Sequence, residues 1–208
     1  MMSKENYFDT EIEEYEEWFK RNDQLLNSEL DAIRQLLPDT EGGIEIGVGT
    51  GIFASKLRIE HGVEPSEKMA AVAQKRGIHV IKASAEEIPV NDGLYHFVLM
   101  VTVDCFLDDV SKAFSEARRI LVDDGFLIIA FLDKATPLGM MYEKNKHLHE
   151  SYKNANFHSA IEVSKLLEDA GFSLEERNQT IFSLDNQPQE IKSGNGEGLF
   201  AVIKAKKL

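Results

Sequence analysis

Short apolar runs alternate with amphipathic segments along most of this chain. Five runs have the length of a strand, at residues 44–48, 59–64, 79–82, 95–101 and 126–132. The segments between them have the period of a helix that buries one face. This alternation is typical of a parallel sheet that is covered by helices on both sides. The pattern therefore predicts an α/β, doubly wound fold.

Helix signals strengthen this interpretation. An apolar stripe at helical spacing predicts a helix near the N-terminus, and it consists of Leu26, Leu30, Ile33 and Leu37. Ser28 and Asp31 have the spacing of an N-terminal capping pair, and Pro38 ends the stripe. Further helices are predicted at residues 66–76, 109–121 and 159–170.

The C-terminal part of the chain has a different pattern. Residues 134–158 are polar with weak helical periodicity, which is typical of an insertion over the sheet edge. Two strand-like runs follow at 180–184 and 198–205, and the loop between them is too short for a crossover helix. They should therefore pair antiparallel. The complete prediction is a mostly parallel, seven-stranded sheet with an antiparallel C-terminal strand and an N-terminal helical extension.

Charge and composition exclude several classes of function. The chain has 36 Asp and Glu residues against 23 Lys and Arg, a net charge of −13, which disfavours nucleic acid as a partner. No apolar run approaches the ~20 residues of a membrane span. The polar N-terminus lacks the pattern of a secretion signal, and the single cysteine, Cys105, suits a reducing compartment. We expect a cytoplasmic protein.

The residues after the first predicted strand are the most informative. Gly47, Gly49 and Gly51 form a glycine-rich turn between a strand and a helix, where a ligand can approach main-chain N–H groups. Such turns also occur for steric reasons alone. Here, however, Glu45 and Glu64 place carboxylates at two neighbouring strand ends. Glu45 could meet an ammonium group and Glu64 could accept both hydroxyls of a ribose, so the pattern predicts a nucleotide-type site.

Two glycine registers describe this turn. Residues 49–54 fit the G-x-G-x-x-G/A pattern of a dinucleotide site, but that register leaves Glu45 and Gly47 without a role. The G-x-G-x-G register at 47–51 accounts for both residues. The second register is therefore favoured, and an NAD-dependent oxidoreductase is the alternative.

The chain resembles the class I S-adenosylmethionine-dependent methyltransferases, particularly the branch typified by ubiquinone and sterol methyltransferases. Residues 45–51 look like the first motif of that family, and 62–66 like its second-strand acid. Residues 83–89 are similar to the segment beside the adenine ring, and 118–126 to the helix and turn before the fifth strand. The resemblance implies a Rossmann-like fold, with S-adenosylmethionine as cofactor and S-adenosylhomocysteine as product.

The resemblance also implies a set of cofactor-binding residues. They are Glu45, Gly47, Gly49, Gly51, Glu64, Pro65, Ser66, Ser84, Ala85, Glu86, Met100 and Val101. The adenine segment of the family usually has an aspartate before its alanine. This chain has Ser84 there, which accepts a hydrogen bond from the adenine amino group less strongly. No metal site is predicted.

The implied organisation is a single methyltransferase domain over residues 1–208. Its parts are an N-terminal helical cap at 1–38, a cofactor-binding core at 42–132, a substrate-side insertion at 134–158, and a C-terminal helix with an antiparallel strand pair at 159–208.

The implied reaction is in-line transfer of a methyl group to a small-molecule acceptor, which we expect to be neutral or cationic. Neither motifs nor resemblance fix a catalytic residue. The candidates are Tyr15, Asp104, Tyr142 and His147. His149 and Tyr152 are further candidate substrate-side groups, Phe106 should lie with Asp104 near the reacting methyl, and the packing of Trp18 and Phe19 could close the site. A third alternative is a catalytically silent module that binds the cofactor and regulates a partner.

Overall fold

The computed structural model describes residues 11–148 and 150–208. The helices are α1 (Ile12–Arg21), α2 (Asp23–Arg34), α3 (Ile52–Leu57), α4 (Glu67–Lys75), α5 (Val110–Ile120), α6 (Pro137–Asn145) and α7 (Ala160–Asp169), with 3-10 turns at Asp104–Phe106 and Lys146–Leu148. The strands are β1 (Gly43–Ile46), β2 (His61–Val63), β3 (His79–Ile81), β4 (Tyr95–Val101), β5 (Leu121–Leu132), β6 (Phe172–Thr180), β7 (Lys192–Ser193) and β8 (Phe200–Lys207).

These strands form one sheet in the order β3-β2-β1-β4-β5-β8-β6-β7. The first five are parallel, and β8 pairs antiparallel with both β5 and β6. The described residues thus form eight strands, one more than predicted, because the two-residue β7 pairs with β6. The strand order reverses between β1 and β4, and ligands of doubly wound folds bind in the crevice at such a reversal. The predicted α/β Rossmann-like fold is confirmed.

Helices cover both faces of the sheet. Successive side chains of a strand point to opposite faces. In β4, Leu99 joins a core with residues of α2, α3 and α4, whereas Met100 joins a core with residues of α5 and α7. Tyr95 through Val101 are apolar at every position but His96 because both faces are buried. This is why the predicted bounds of β4 are correct.

The N-terminal helix differs from its prediction. Helix α2 begins at Asp23, so Ser28 and Asp31 are not its capping pair. The Ser28 hydroxyl lies within the helix, where it donates to the Gln24 carbonyl at 2.9 Å and accepts from the Gln189 N–H at 2.9 Å. The residue type that suggested a cap instead attaches a distant loop to the helix.

The strand predicted at 180–184 is wrong. β6 ends at Thr180, and Ile181 leaves the strand with a φ of +62°. The preceding β6 was missed because its sequence is mainly polar. Asn178 in this strand donates to the Ala32 carbonyl of α2 at 3.3 Å, so polar contacts hold part of β6 in place. The second predicted run corresponds to β8, which is antiparallel as predicted, but its partners are β5 and β6 rather than a strand at 180–184.

The chain leaves the sheet after β5 at residue 134 and returns to the same end of β5 at residue 158. The Lys134 N–H donates to the His158 carbonyl at 3.1 Å, which closes the segment at its base. Helix α6 and a 3-10 turn lie within it, and its Ala155 and Phe157 are buried in the core on the α2 side. The segment therefore adds residues beside the carboxyl edge of the sheet.

Candidate functional site

The glycine turn lies at the carboxyl end of β1, beside the strand reversal. Gly47, Gly49 and Gly51 have φ angles of +73°, +53° and +80°, in the region that favours glycine. A Cβ atom at Gly47 would lie 2.5 Å from Val103, and one at Gly51 would lie 2.4 Å from Ile78. These two glycines are therefore required by packing as well as by backbone conformation.

Gly49 has different surroundings. The nearest atoms to a Cβ at this position would be Met69 Sδ at 3.6 Å and Tyr15 Oη at 3.8 Å. Both atoms belong to the ends of side chains rather than to the backbone. A Cβ atom at Gly49 would therefore make only ordinary contacts, so the positive φ rather than packing favours glycine at this position.

Glu64 follows β2 and binds the backbone of the glycine turn. Its side chain is buried, and its Oε2 accepts a hydrogen bond from the Gly49 N–H at 2.8 Å. Its Oε1 accepts from the Ser66 N–H at 2.9 Å. Ser66 caps α4 by accepting from the Met69 N–H, while Pro65 between them is exposed. This places a fixed carboxylate beside the backbone of Gly49.

Glu45, near the end of β1, is a second acidic side chain beside the glycine turn. It is 2% exposed, and its Oε2 has no hydrogen-bond partner among the described residues. Burial raises the pKa of Glu45 well above its usual value, and the charge of Glu64 raises it further, while the Ala54 N–H opposes both effects. A cationic group would stabilise the ionised form of this side chain.

The remaining predicted cofactor residues have varied positions. Ser84 is exposed, whereas Ala85 is buried. Glu86 Oε1 accepts from the Asp108 N–H at 3.1 Å, which joins the adenine-segment region to the loop after β4. Met100 and Val101 are buried in the cores on opposite faces of the sheet, so packing explains both side chains.

Helix α1 lies over the glycine turn. The Tyr15 ring packs edge-on against Phe19 at 5.0 Å, and Phe19 packs on Phe53 of α3 at 5.8 Å. Burial raises the pKa of Tyr15, and the nearby charges of Glu45 and Glu64 raise it further. The Tyr15 hydroxyl is therefore neutral at physiological pH and lies near both acids of the turn.

An ion pair that sequence reasoning missed attaches α1 to the turn. Glu16 accepts two hydrogen bonds from the Arg76 guanidinium, at 3.0 and 2.6 Å. Arg76 also donates to the carbonyl oxygen of Thr50 in the glycine turn. One side chain thus bridges α1, the end of α4 and the turn. No short-range motif indicates this pairing, since 60 residues separate the partners.

Aromatic residues of the 134–158 segment pack against the same core as Tyr15 of α1. Tyr142 packs edge-on against Tyr152 with ring centroids 6.1 Å apart, and Tyr152 stacks on Phe106 at 6.0 Å. Of the other candidates, Trp18 is 38% exposed and His147 is exposed as well. His149 lies outside the described residues.

Asp104 forms a pair with a histidine that the sequence did not indicate. Its Oδ2 lies 2.9 Å from Nδ1 of His158, and its Oδ1 is buried with no partner among the described residues. Burial raises the pKa of Asp104, and the contact with His158 opposes that shift. The pair joins the turn after β4 to the end of the 134–158 segment.

Glu29 is the other acid that sequence reasoning missed. It is only 9% exposed on α2, and burial raises its pKa from 4.5 to about 8. Its charge also contributes to raising the pKa of Tyr15, Tyr142 and Tyr152. A signal was present, because Glu29 stands three residues after Leu26, on the apolar face of the helix.

The described part of the chain contains no group of three His, Cys, Asp or Glu side chains that could hold a metal ion. The helices within those same residues are also too short or too polar to cross a bilayer.

Comparisons with known proteins agree with this geometry. Residues 44–129 match the family of methyltransferase domains. An uncharacterized protein of Methanocaldococcus jannaschii is 42% identical over 205 residues, which cover 98% of this chain and 100% of that protein. A malonyl-(acyl-carrier protein) O-methyltransferase of Geobacter sulfurreducens is 27% identical over 148 residues, or 62% of this chain and 54% of that enzyme.

Solved structures extend the comparison. The crystal structure of a SAM-dependent methyltransferase of Thermotoga maritima, described as a possible histamine N-methyltransferase, is 44% identical with a TM-score of 0.95. The match covers 99% of this chain and 100% of that chain. These similarities favour neither the NAD-dependent alternative nor the regulatory one. The chain belongs to the class I SAM-dependent methyltransferase family and is an enzyme that uses S-adenosylmethionine as its cofactor.

Proposed function

We propose that this enzyme methylates a small molecule, neutral or cationic, bound between the glycine turn and the aromatic residues of α1 and the 134–158 segment. The observation that carries this proposal is the position of Tyr15, whose hydroxyl borders Gly49 while its ring packs on Phe19. A helix that covers the turn at this point would keep the backbone of a large acceptor away, which favours a small one.

The acids beside the turn suit the cofactor. Glu64 accepts hydrogen bonds from the Gly49 and Ser66 N–H groups, so its carboxylate lies beside the turn, at the strand end where ribose hydroxyls bind in such folds. Glu45 has an unpaired buried oxygen that suits the methionine ammonium group. When bound, S-adenosylmethionine would supply a methyl group on a positively charged sulfur. A lone pair of the acceptor can attack the methyl carbon in line and displace the sulfur.

The other predicted residues take lesser roles in this proposal. Ser84, Ala85 and Glu86 are assigned to the side of the adenine ring, and Pro65 and Ser66 to the ribose. Met100 and Val101 contribute through the backbone, since both side chains are in the cores. The main tasks left to the chain are orientation of the acceptor and exclusion of water.

On the acceptor side, Tyr15 and Tyr142 are the proposed contact residues. Asp104 would act together with His158, because the two side chains are 2.9 Å apart and Asp104 is buried. His147 is exposed and has no role in the proposal. Membership of the branch typified by ubiquinone and sterol methyltransferases stays a prediction, as does a cytoplasmic location.

The test is a labelled-methyl assay with two fractions of the same cell extract. The purified enzyme and labelled S-adenosylmethionine are incubated with an ultrafiltrate of small molecules and with the retained macromolecules. We expect label in the small-molecule fraction and its loss when S-adenosylhomocysteine is added in excess. Label in the retained fraction alone would contradict the proposal.

A further inference from the structure

The turn after β4 is joined to the end of the 134–158 segment by side-chain and backbone contacts. Asp104 Oδ2 lies 2.9 Å from Nδ1 of His158, and the Cys105 carbonyl accepts from the Asn156 N–H at 2.8 Å. Side chains 54 positions apart along the chain thus form a pair. Because the backbone beside the pair is also hydrogen-bonded, the fold holds the two side chains in position.

This pair lies at the carboxyl edge of the sheet, next to the glycine turn. β4 is the neighbour of β1 at the strand reversal, and Asp104 follows shortly after Val101, the last residue of β4. The intervening Val103 lies against the turn, since a Cβ atom at Gly47 would be 2.5 Å from its side chain. The pair is therefore beside the place where doubly wound folds bind their ligands.

The contact with Asp104 determines which nitrogen of His158 carries a proton. An ionised carboxylate can only accept, so Nδ1 donates to Asp104, and the lone pair of the neutral ring is on Nε2. Among the described residues, no hydrogen bond occupies Nε2. The His158 side chain is 11% exposed, against 2% for Asp104, so the ring is the member of the pair that an incoming molecule can reach.

The buried carboxylate favours a positive charge on this ring. Asp104 Oδ1 has no partner among the described residues, and burial raises the pKa of Asp104 while the contact with His158 opposes that shift. A buried carboxylate is stabilised by a positive charge beside it. His158 gains that charge when Nε2 takes up a proton. Asp104 therefore makes Nε2 a better proton acceptor.

We propose that His158 is a catalytic residue, the general base that removes a proton from the methyl acceptor, and that Asp104 is the residue that positions it. This inference rests on the proposed function, since it concerns the reaction at the same site. It also specifies the class of methyl acceptor, because a general base is useful only where the atom that is methylated carries a proton, as in an O–H, S–H or N–H group.

The atoms and electrons of this step balance. A lone pair of the methyl acceptor forms the new bond to the methyl carbon, while the carbon–sulfur bond breaks and its electron pair stays on the sulfur. The proton of the methyl acceptor moves to Nε2 of His158. The imidazolium that forms is stabilised by Asp104 and releases its proton to water before the next turnover.

The first test is the labelled-methyl assay with the small-molecule ultrafiltrate as the source of methyl acceptor, at several dilutions and saturating S-adenosylmethionine. We expect His158→Gln to lower the maximal rate by about a hundredfold or more, as the loss of a general base does. Asp104→Asn should lower it by about tenfold or more, because the ring loses its preferred tautomer. Calorimetry should show an unchanged affinity for S-adenosylhomocysteine in both variants.

Two further readouts separate catalysis from a merely structural role. Imidazole added to His158→Ala should restore part of the rate, because a free base can enter the space that the ring leaves. NMR of protein with isotope-labelled histidine should show the neutral His158 ring protonated on Nδ1 in the wild type and a changed tautomer in Asp104→Asn. His96→Gln is the matched control, since His96 is exposed near the opposite end of β4, and it should react as the wild type does.

Several outcomes would overturn the inference. One is a folded His158→Gln variant with the maximal rate of the wild type, and another is a neutral His158 ring that carries its proton on Nε2. A third is a loss of rate together with a loss of affinity for S-adenosylhomocysteine and no rescue by imidazole, which would assign the pair a structural role. No transfer to any small molecule by the wild type would instead refute the proposed function.

Discussion

At the residue scale, Glu64 is the first side chain to test, because it contacts the backbone of the glycine turn directly. Glu64→Gln keeps the size of the side chain but replaces one acceptor oxygen with a donor. The amide would face either the Gly49 N–H or the Ser66 N–H, both of which are donors. We expect binding of S-adenosylhomocysteine to weaken by roughly 1.5–3 kcal/mol, the usual value of hydrogen bonds to a charged group.

Calorimetry measures this change, with Glu67→Gln as the matched control. Glu67 is a nearby acid in the first turn of α4, its side chain is exposed, and it pairs with Lys82 on the surface. The control should bind as the wild type does. An unchanged affinity in a folded Glu64→Gln variant would remove Glu64 from the cofactor site.

Glu29 also makes a prediction about stability. Its pKa is about 8 in the folded protein against an ordinary value of 4.5, so the folded state holds a proton that the unfolded state loses first. The stabilising contribution is complete below pH 4.5 and is lost as the pH rises through about 8. Glu29→Gln cannot titrate. Its Tm should therefore rise relative to the wild type as the pH increases over this window.

The comparison of the two proteins isolates Glu29. Glu45 and Asp104 also have raised pKa values, but both are present in both proteins and their contributions cancel. Thermal melts across the pH series give the difference in Tm. A difference that stays constant from below pH 4.5 to above pH 8 would mean that the pKa of Glu29 is the same in the folded and unfolded protein, so that burial does not raise it.

What the sequence predicts of the site depends on how each residue is positioned. Glu45 and Glu64 could be found because strand ends on a parallel sheet meet at one edge, so position along the chain indicates position in space. Glu29 could have been found from its place on an apolar helix face. His158 could not, because its contact with Asp104 joins residues 54 positions apart and follows from the path of the 134–158 segment.

At the element scale, the docking of α1 makes the next prediction. The Glu16–Arg76 pair is partly exposed, with side-chain exposures of 18% and 29%. We therefore expect it to stabilise the docked position of α1 by about 0.5–1 kcal/mol. Glu16→Gln removes the charge pair and leaves the bond from Arg76 to the Thr50 carbonyl. Helix α1 should then open more often, and its amide hydrogen exchange should be faster by about two- to fivefold.

Hydrogen exchange by mass spectrometry measures this effect over Ile12–Arg21. Glu17→Gln is the control, since Glu17 pairs with Lys20 inside the same helix and does not reach the glycine turn. Equal exchange in both variants would show that the aromatic contacts alone hold α1. We also predict that saturating S-adenosylhomocysteine slows exchange over residues 7–19, of which residues 7–10 lie outside the described part of the chain.

Whether a strand could be predicted from the sequence depends on how completely its two faces are buried. β4 is buried on both faces, so its sequence is an almost continuous apolar run with clear ends. β6 is mainly polar and is held partly by side-chain bonds such as that of Asn178 to α2, so hydrophobic periodicity does not reveal it. Residues 122–125, which separate the predicted helix at 109–121 from the predicted strand at 126–132, lie inside β5, where the pairing with β4 is irregular. Whether such residues form a strand depends on pairing with residues far away in the sequence, here those of β4.

At the scale of the whole molecule, the net charge of −13 gives the last prediction. An acidic surface slows the approach of a polyanion and favours that of a cation, and added salt screens both effects. We therefore expect bulk RNA and DNA to receive no label from labelled S-adenosylmethionine, at low or high salt. If the acceptor is a cationic amine, its kcat/KM should fall as the ionic strength rises. The same assay measures both quantities. Methylation of RNA, with none of any small molecule, would show that charges local to the site outweigh the net charge, and would contradict the proposed acceptor class.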